Sequence, residues 1–184
     1  AMTPEIIIGI VGSAALLFIS RAALRTPGAH GFYRFFAWEG LLILFLLNAR
    51  RWFVQPLALH QIISWGLLLI SLGLVLAGLS LLRRRGQPDP QRADEALLPL
   101  EKTTALVTTG IYRYIRHPLY SSLLFLGWGI FFKQPAGWGA ALALGVSVFL
   151  VLTARAEERE NLRYFGAAYQ AYRQRTKMFV PFIF

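Results

Sequence analysis

Cysteine is absent from the 184 residues, so disulfides, thiolate metal sites and cysteine nucleophiles are excluded. The three histidines, His30, His60 and His117, are scattered and form no HExxH spacing, which argues against a dedicated metal site. GxGxxG, GxxxxGK[ST] and GxSxG patterns are missing too, so a soluble dinucleotide-binding domain is not expected. Charge is scarce: 15% of residues are charged, against about 25% in ordinary soluble domains. Acidic residues are scarcer still, nine against nineteen Lys and Arg, for a net charge of +10. In a soluble chain that balance would suggest nucleic acid. Here the aromatics lie inside apolar runs, so no nucleic-acid partner is expected, and the positive charge reads as loops facing anionic lipid.

What the chain does have is length in its apolar runs. A spanning helix needs about 20 mostly apolar residues, and runs of that kind cover about 4–24, 32–49, 60–82, 117–133 and 137–155. They lack period-2 alternation and exceed the roughly 10-residue segments of a membrane barrel. The expected architecture is all-α: one domain over 1–184, a polytopic membrane bundle of about five transmembrane helices. Residues 83–104, with Pro88, Pro90 and Pro99, read as a polar loop. Residues 156–176 are charged yet keep Leu162, Phe165, Tyr169 and Tyr172 at helical spacing. They read as a cytoplasmic amphipathic helix, broken near Gly166, that lies on the membrane or covers a pocket. The first run has no preceding positive charge, and Arg21 and Arg25 follow it. It reads as a retained helix with the N-terminus outside. That topology places sixteen of the nineteen basic residues in cytoplasmic segments, with the C-terminus inside. Short loops and missing cysteines favour a bacterial inner membrane.

Two clusters carry chemistry. The denser runs from Leu106 to Tyr120 (LVTTGIYRYIRHPLY). Pro118 suits the first position of a helix, which makes His117 its cap. A helix start beside Arg116 and His117 is a carboxylate or phosphate site in the making. The competing reading makes Arg116 and His117 interfacial anchors, and Tyr112, Tyr114 and Tyr120 an aromatic belt. The second cluster is Arg155-Ala156-Glu157-Glu158-Arg159-Glu160, where the fifth run leaves the membrane. Glu157 suits a ribose diol or a cation, and Arg155 and Glu158 are the candidate catalytic pair. Alternatively, Glu158 and Arg155 simply pair on a solvated helix face. Glu39, beside Arg34 and Trp38, reads as an interfacial residue.

The Leu106–Tyr120 run resembles the L-V-T-x-G-x-Y-x-x-x-R-H-P-x-Y signature of the isoprenylcysteine carboxyl methyltransferase and phospholipid methyltransferase superfamily. Glu157-Glu158, Phe165-Gly166, Tyr169, Tyr172 and Pro181 resemble that family's E-E…F-G…Y-x-x-Y…P tail. The resemblance covers about 104–184. It implies an integral membrane methyltransferase that uses S-adenosyl-L-methionine and a lipophilic acceptor: a carboxylate, thiol, amine or lipid head group. By motif position it implies that Thr104, Ala105, Leu106 and Val107 line the cofactor, and that Tyr112 touches it. His117, Pro118, Leu119 and Tyr120 would hold its polar end, and Glu157 would bind it from the last helix. The chain departs from the eukaryotic pattern at Thr104, where His is usual, and at Thr153, where an acceptor-contacting Arg stands. Both departures argue against a prenylcysteine acceptor. Two other readings stand beside this one. A sterol-type reductase using a nicotinamide dinucleotide shares the R-H-P-x-Y tail but is usually much longer. A non-catalytic lipid-binding membrane protein is the third.

Overall fold

The computed structural model describes residues 3–87, 89 and 102–184. They form α1 (Pro4–Leu24), α2 (His30–Asn48), α3 (Leu59–Arg85), α4 (Pro118–Phe131), α5 (Gly137–Phe165) and α6 (Ala167–Arg175), with short 3₁₀ turns at Ala49–Arg51 and Gly110–Arg113. The all-α expectation holds; the one β feature among the described residues is an isolated parallel bridge between Ile115 and Lys177. Most of the polar loop expected over 83–104 lies outside the described residues, but its start is helical, because α3 runs on to Arg85.

Four helices are long and apolar enough to cross a membrane: α1, α2 with its 3₁₀ extension, α3 and α5. The remaining run, expected at 117–133, is shorter than read: α4 has 14 residues. At 1.5 Å per residue it is about 21 Å long, against a hydrocarbon core of about 30 Å. Pro118 sets its start, and past Phe132 the bonding tightens, with the Lys133 amide donating three residues back to the Ile130 carbonyl at 3.0 Å. By contrast α5 continues unbroken through 29 residues, about 43 Å, well past the end read at 155.

The helices pack in the order α1, α2, α5, α4, α3, with α2 also touching α4. The outer faces of α1 and α3 expose Ile7, Val11, Phe18, Leu69 and Leu72, as lipid-facing helices do. Small residues let the inner helices close. A Cβ on Gly40 of α2 would come within 2.6 Å of Val146 on α5, and one on Gly129 of α4 within 2.9 Å of Leu68 on α3. Ser64 and Ser71 of α3 donate to the Gly129 and Ser122 carbonyls of α4 at 2.6 and 2.7 Å, which satisfies hydroxyls that hydrocarbon could not. Two apolar clusters make the core. One joins Ala37, Leu41, Tyr120, Val146, Leu150, Ala154 and the tail residue Phe179; the other joins Leu44, Ile130 and Ala143. Glu39, read from sequence as interfacial, stands nine residues after the start of α2, where Ser13 of α1 donates to its Oε2 at 2.8 Å.

The end of the bundle holding the α4–α5 turn is closed by a buried polar clasp. Gln61 and Lys133 are fully buried, and Lys133 Nζ donates to Gln61 Oε1 at 3.1 Å. Gln61 Nε2 donates in turn to the carbonyls of Arg51, Val54 and Lys133. The ammonium stands 3.3 Å from the Trp65 ring centroid and 5.0 Å from that of Trp52, a cation–π cage. Lys133→Ala should therefore lower stability by about 1–3 kcal/mol, the usual cost of orphaning a buried polar group. Denaturant unfolding in detergent, followed by tryptophan fluorescence, measures it.

Candidate functional site

Because α4 is short, its start is recessed. A Cβ on Gly78 would meet Pro118 and Leu119 at 3.1–3.3 Å, and Gly78 lies seven residues inside the end of α3, about 10 Å. The ends of α3 and α5 thus project past the start of α4 and wall a vestibule. Gly166 adopts φ +57, a left-handed turn that glycine takes without steric cost. It folds α6 back from α5, so that Tyr169 and Tyr172 line the vestibule with Phe165. The amphipathic helix read at 156–176 is therefore two elements, the end of α5 and α6, and it covers a pocket. Gly110, at φ +61, turns the incoming 103–112 segment onto the remaining side.

The cavity has a volume of roughly 100 Å³. Ala105, Leu106, Val107, Tyr112, His117, Leu119, Tyr120 and Glu157, all expected from the sequence, line it together. Thr104 and Pro118 do not. The exposed Thr104 hydroxyl donates to the Gln87 carbonyl at 2.8 Å, and its neighbour Thr103 lines the cavity instead. Pro118 is buried against α3. Thr153, at the position of the family's acceptor-contacting Arg, is buried and donates to the Phe149 carbonyl one turn back.

The expected catalytic pair separates. Arg155 is exposed and lies off the cavity. Glu158 is 5% exposed and also does not line it; Arg116 Nε donates to its Oε1 at 2.7 Å, and Arg173 Nε stands 3.5 Å from Oε2. The solvated Arg155–Glu158 pair is replaced by a buried one, because helix rotation turns position 158 inward and position 155 out. Arg116 also donates to the Thr176 carbonyl, and to the Arg173 carbonyl at 3.2 Å. The Arg116 and His117 amides donate to the Lys177 and Met178 carbonyls at 2.8 and 3.2 Å, and Ser121 Oγ to the Phe179 carbonyl. One short segment thereby binds α5, α6 and the tail to the start of α4.

His117 is 4% exposed and stacks on Tyr120 at 5.5 Å. Its Nδ1 lies 3.8 Å from Glu157 Oε2. Its Nε2 lies 3.4 Å from Glu158 Oε1, an electrostatic contact without an aligned hydrogen bond, which leaves that buried nitrogen orphaned. Burial raises the pKa of Tyr112, Tyr169 and Tyr172, so all three phenols stay protonated near neutrality; Tyr172 donates to the Tyr112 carbonyl at 2.7 Å. The cavity therefore has one polar wall, where Arg116, His117 and the first turn of α4 meet Glu157 of α5, and an aromatic remainder of Tyr112, Tyr120, Phe165, Tyr169 and Tyr172. Among the described residues no cluster of three His, Asp or Glu is arranged to hold a metal.

Sequence reasoning missed Glu160 and Asn161, which line the cavity one turn beyond Glu157. Their i+3 and i+4 spacing from Glu157 was the available signal. It missed as well that Glu160 reaches the N-terminus of α2, where the His30 amide donates to Oε1 at 3.0 Å and His30 Nδ1 lies 2.6 Å from Oε2.

The family described as phospholipid methyltransferase matches residues 60–168. A methanethiol S-methyltransferase 2 from Bradyrhizobium diazoefficiens is 36% identical over 76 residues, 40% of this chain and 28% of the relative. A methanethiol S-methyltransferase from Crocosphaera subtropica is 30% identical over 79 residues, 41% of this chain and 29% of the relative. The matched region thus spans under a third of the length of either relative. No solved structure matches.

The clasp yields a paired test. Glu158→Ala leaves the Arg116 guanidinium buried without its carboxylate, and should cost about 3–5 kcal/mol. Arg155→Ala, on the exposed face, should leave stability unchanged. Denaturant unfolding of both variants in detergent separates them.

Proposed function

The chain belongs to the phospholipid methyltransferase family. From that premise we propose that it transfers a methyl group from S-adenosylmethionine to a lipophilic acceptor, foremost a thiol, within the vestibule formed by α3, α4, α5 and α6. The observation that carries this reading is the polarity of the cavity. Its donors, Arg116, His117 and the first turn of α4, meet Glu157 on one polar wall, where His117 Nδ1 lies 3.8 Å from Glu157 Oε2, and the rings of Tyr112, Phe165, Tyr169 and Tyr172 face that wall. S-adenosylmethionine carries matching groups: a carboxylate and a ribose diol for the polar wall, and a base and a sulfonium for the rings.

In this reading Arg116, His117 and the amides of α4's first turn, which lack partners inside the helix, hold the methionyl carboxylate. Pro118 contributes no amide, so its burial on α3 serves to fix the helix start. Glu157, with its side chain 28% exposed, accepts from the ribose hydroxyls. Tyr112, Phe165, Tyr169 and Tyr172 enclose the base and exclude water, and an aromatic face stabilises a sulfonium. Bound there, the donor supplies a methyl carbon already activated for in-line displacement. The protein's main task is then alignment.

For the acceptor, the names of the two relatives favour a small thiol, and Thr153's engagement inside its own helix removes the usual prenylcysteine contact. For orientation, the vestibule opens at the end of the bundle rich in Arg and Lys, which favours the cytoplasmic side of a bacterial inner membrane, with the N-terminus outside.

Calorimetric binding of S-adenosylhomocysteine to the detergent-purified chain tests the reading. The wild type should bind. Glu157→Ala should weaken binding roughly 10- to 100-fold, the range of a charge-assisted hydrogen bond, with unfolding unchanged. Absence of wild-type binding in folded protein would overturn the assignment.

A further inference from the structure

The donor reading leaves one side of the cavity unused. The polar wall stands toward α5, where His117 Nδ1 lies 3.8 Å from Glu157 Oε2, and the rings of Tyr112, Phe165, Tyr169 and Tyr172 face it. On the α3 side two leucines line the cavity: Leu82 from α3 itself, and Leu119 from the first turn of α4. Tyr120, the next residue, turns away from α3. It stacks on His117 and belongs to the buried cluster of Val146, Leu150 and Ala154 on α5. Leu119 turns toward α3, because a Cβ added to Gly78 would meet Leu119 Cδ2 at 3.1 Å.

Gly78 and Leu82 are four residues apart on α3 and so share one face. A helical side chain leans toward the N-terminus of its helix, which brings Leu82 back toward the level of Gly78. Gly78 has no side chain, so that level is left to Leu119. The two leucines therefore form one apolar surface across the α3–α4 seam. Around them the α3 side is sealed by close backbone. A Cβ on Gly86 would meet Thr103 Cγ2 at 2.8 Å, and one on Gly110 would meet Leu81 Cδ1 at 2.5 Å. The Thr104 and Ala105 amides both donate to the Gly86 carbonyl at 3.1 Å. The 103–112 segment thus lies tight against the end of α3, and the room on this side is set by the two leucine side chains.

We propose that Leu82 and Leu119 form the subsite for the acceptor's alkyl group and set the chain length that the protein methylates, with Gly78 making room for Leu119 between the helices. This inference rests on the reading of the site as a methyl-donor cavity. The donor's carboxylate, diol, base and sulfonium are matched by the polar wall and the rings, so the aliphatic side is left for the acceptor. An alkyl thiol fits it: the sulfur approaches the donor methyl, and the hydrocarbon leaves water for an apolar contact. Seating the chain on two leucines aligns the sulfur, and alignment is what in-line transfer needs. A wall of this kind discriminates by size, since one methylene too many in an apolar pocket costs about 10-fold or more in kcat/KM. The two leucines are specificity residues, and neither supplies a group to the reaction.

The test is the chain-length profile of kcat/KM for straight-chain alkanethiols from methanethiol to hexanethiol, with saturating S-adenosylmethionine, in one detergent. Wild type and variant meet the same micelles, so their ratio at each length is independent of partitioning. Leu82→Ala and Leu119→Ala should raise that ratio for hexanethiol on the order of 10-fold and leave it at or below one for methanethiol. Leu119→Phe should do the reverse, losing the longer thiols first. Leu76→Ala makes the same truncation on the outer face of α3, where Leu76 is 60% exposed, and should give a flat ratio. S-adenosylhomocysteine affinity should stay within a few-fold of wild type throughout, since the alanine variants keep the amides of the first turn of α4. Should either alanine variant fail to fold, Leu82→Val and Leu119→Val should shift the profile the same way by less. A ratio that is the same at every length for the Leu82 and Leu119 variants would mark the leucines as packing alone and overturn the proposal. Methylation of no thiol in the series by a chain that binds S-adenosylhomocysteine would overturn it too. Failure of the wild type to bind S-adenosylhomocysteine would instead overturn the cavity reading on which the proposal rests.

Discussion

The site depends on the buried pair of Arg116 and Glu158. A guanidinium and a carboxylate withdrawn from water are costly unless every donor and acceptor is used, and here they nearly are. Glu158 takes Arg116 Nε and stands within reach of Arg173 and His117, while Arg116 Nη1 goes to the carbonyls of Arg173 and Thr176. The pair joins the start of α4 to the end of α5 and to residues 173–178. Without it the short α4 would have no anchor at the height where the vestibule begins. The tail that inserts Phe179 into the core would lose its register against Ile115.

Helix length turns that anchor into a cavity. A fourth helix as long as its neighbours would fill the space with its own side chains. Fourteen residues leave it open, and the projecting ends of α3 and α5 supply walls that are helical rather than loop-borne. Rigid walls suit chemistry limited by alignment, where a displacement of an ångström is expensive. The left-handed turn at Gly166 adds a roof by bringing Tyr169 and Tyr172 over the opening. Opposite ends of the molecule serve opposite purposes. The Lys133–Gln61 clasp fastens one end, and the other end stays hollow.

Two elements supply the polar wall of the cavity. The donors come from one loop and a helix start, and the carboxylate beside them from one face of α5, with His117 and Glu157 3.8 Å apart. The second carboxylate on that face, Glu160, is fastened to α2 through His30.

Much of this was readable from residue order. Long apolar runs made the chain a helical membrane protein, since only a helix satisfies its own backbone over such a length without alternation. Seven residues of the motif around His117-Pro118 come together on the cavity, because local backbone rules act over a few positions: proline starts a helix, and the residue before it caps. Local rules could not say that α4 stops after 14 residues, that Thr103 rather than Thr104 faces inward, or that Arg155 faces away while Glu158 turns to Arg116. Those outcomes depend on helix rotation and depth, which are set by neighbours. Glu160 is the clearest case. In sequence it is one more charge in an acidic and basic run, and its partner His30 lies 130 positions away. The chain by itself determined the elements and the chemical alphabet of the site. Only packing of α5 against α2 and α4 decided that Glu158 became a structural clasp, that Glu157 lined the cavity beside His117, and that Glu160 was fastened to His30.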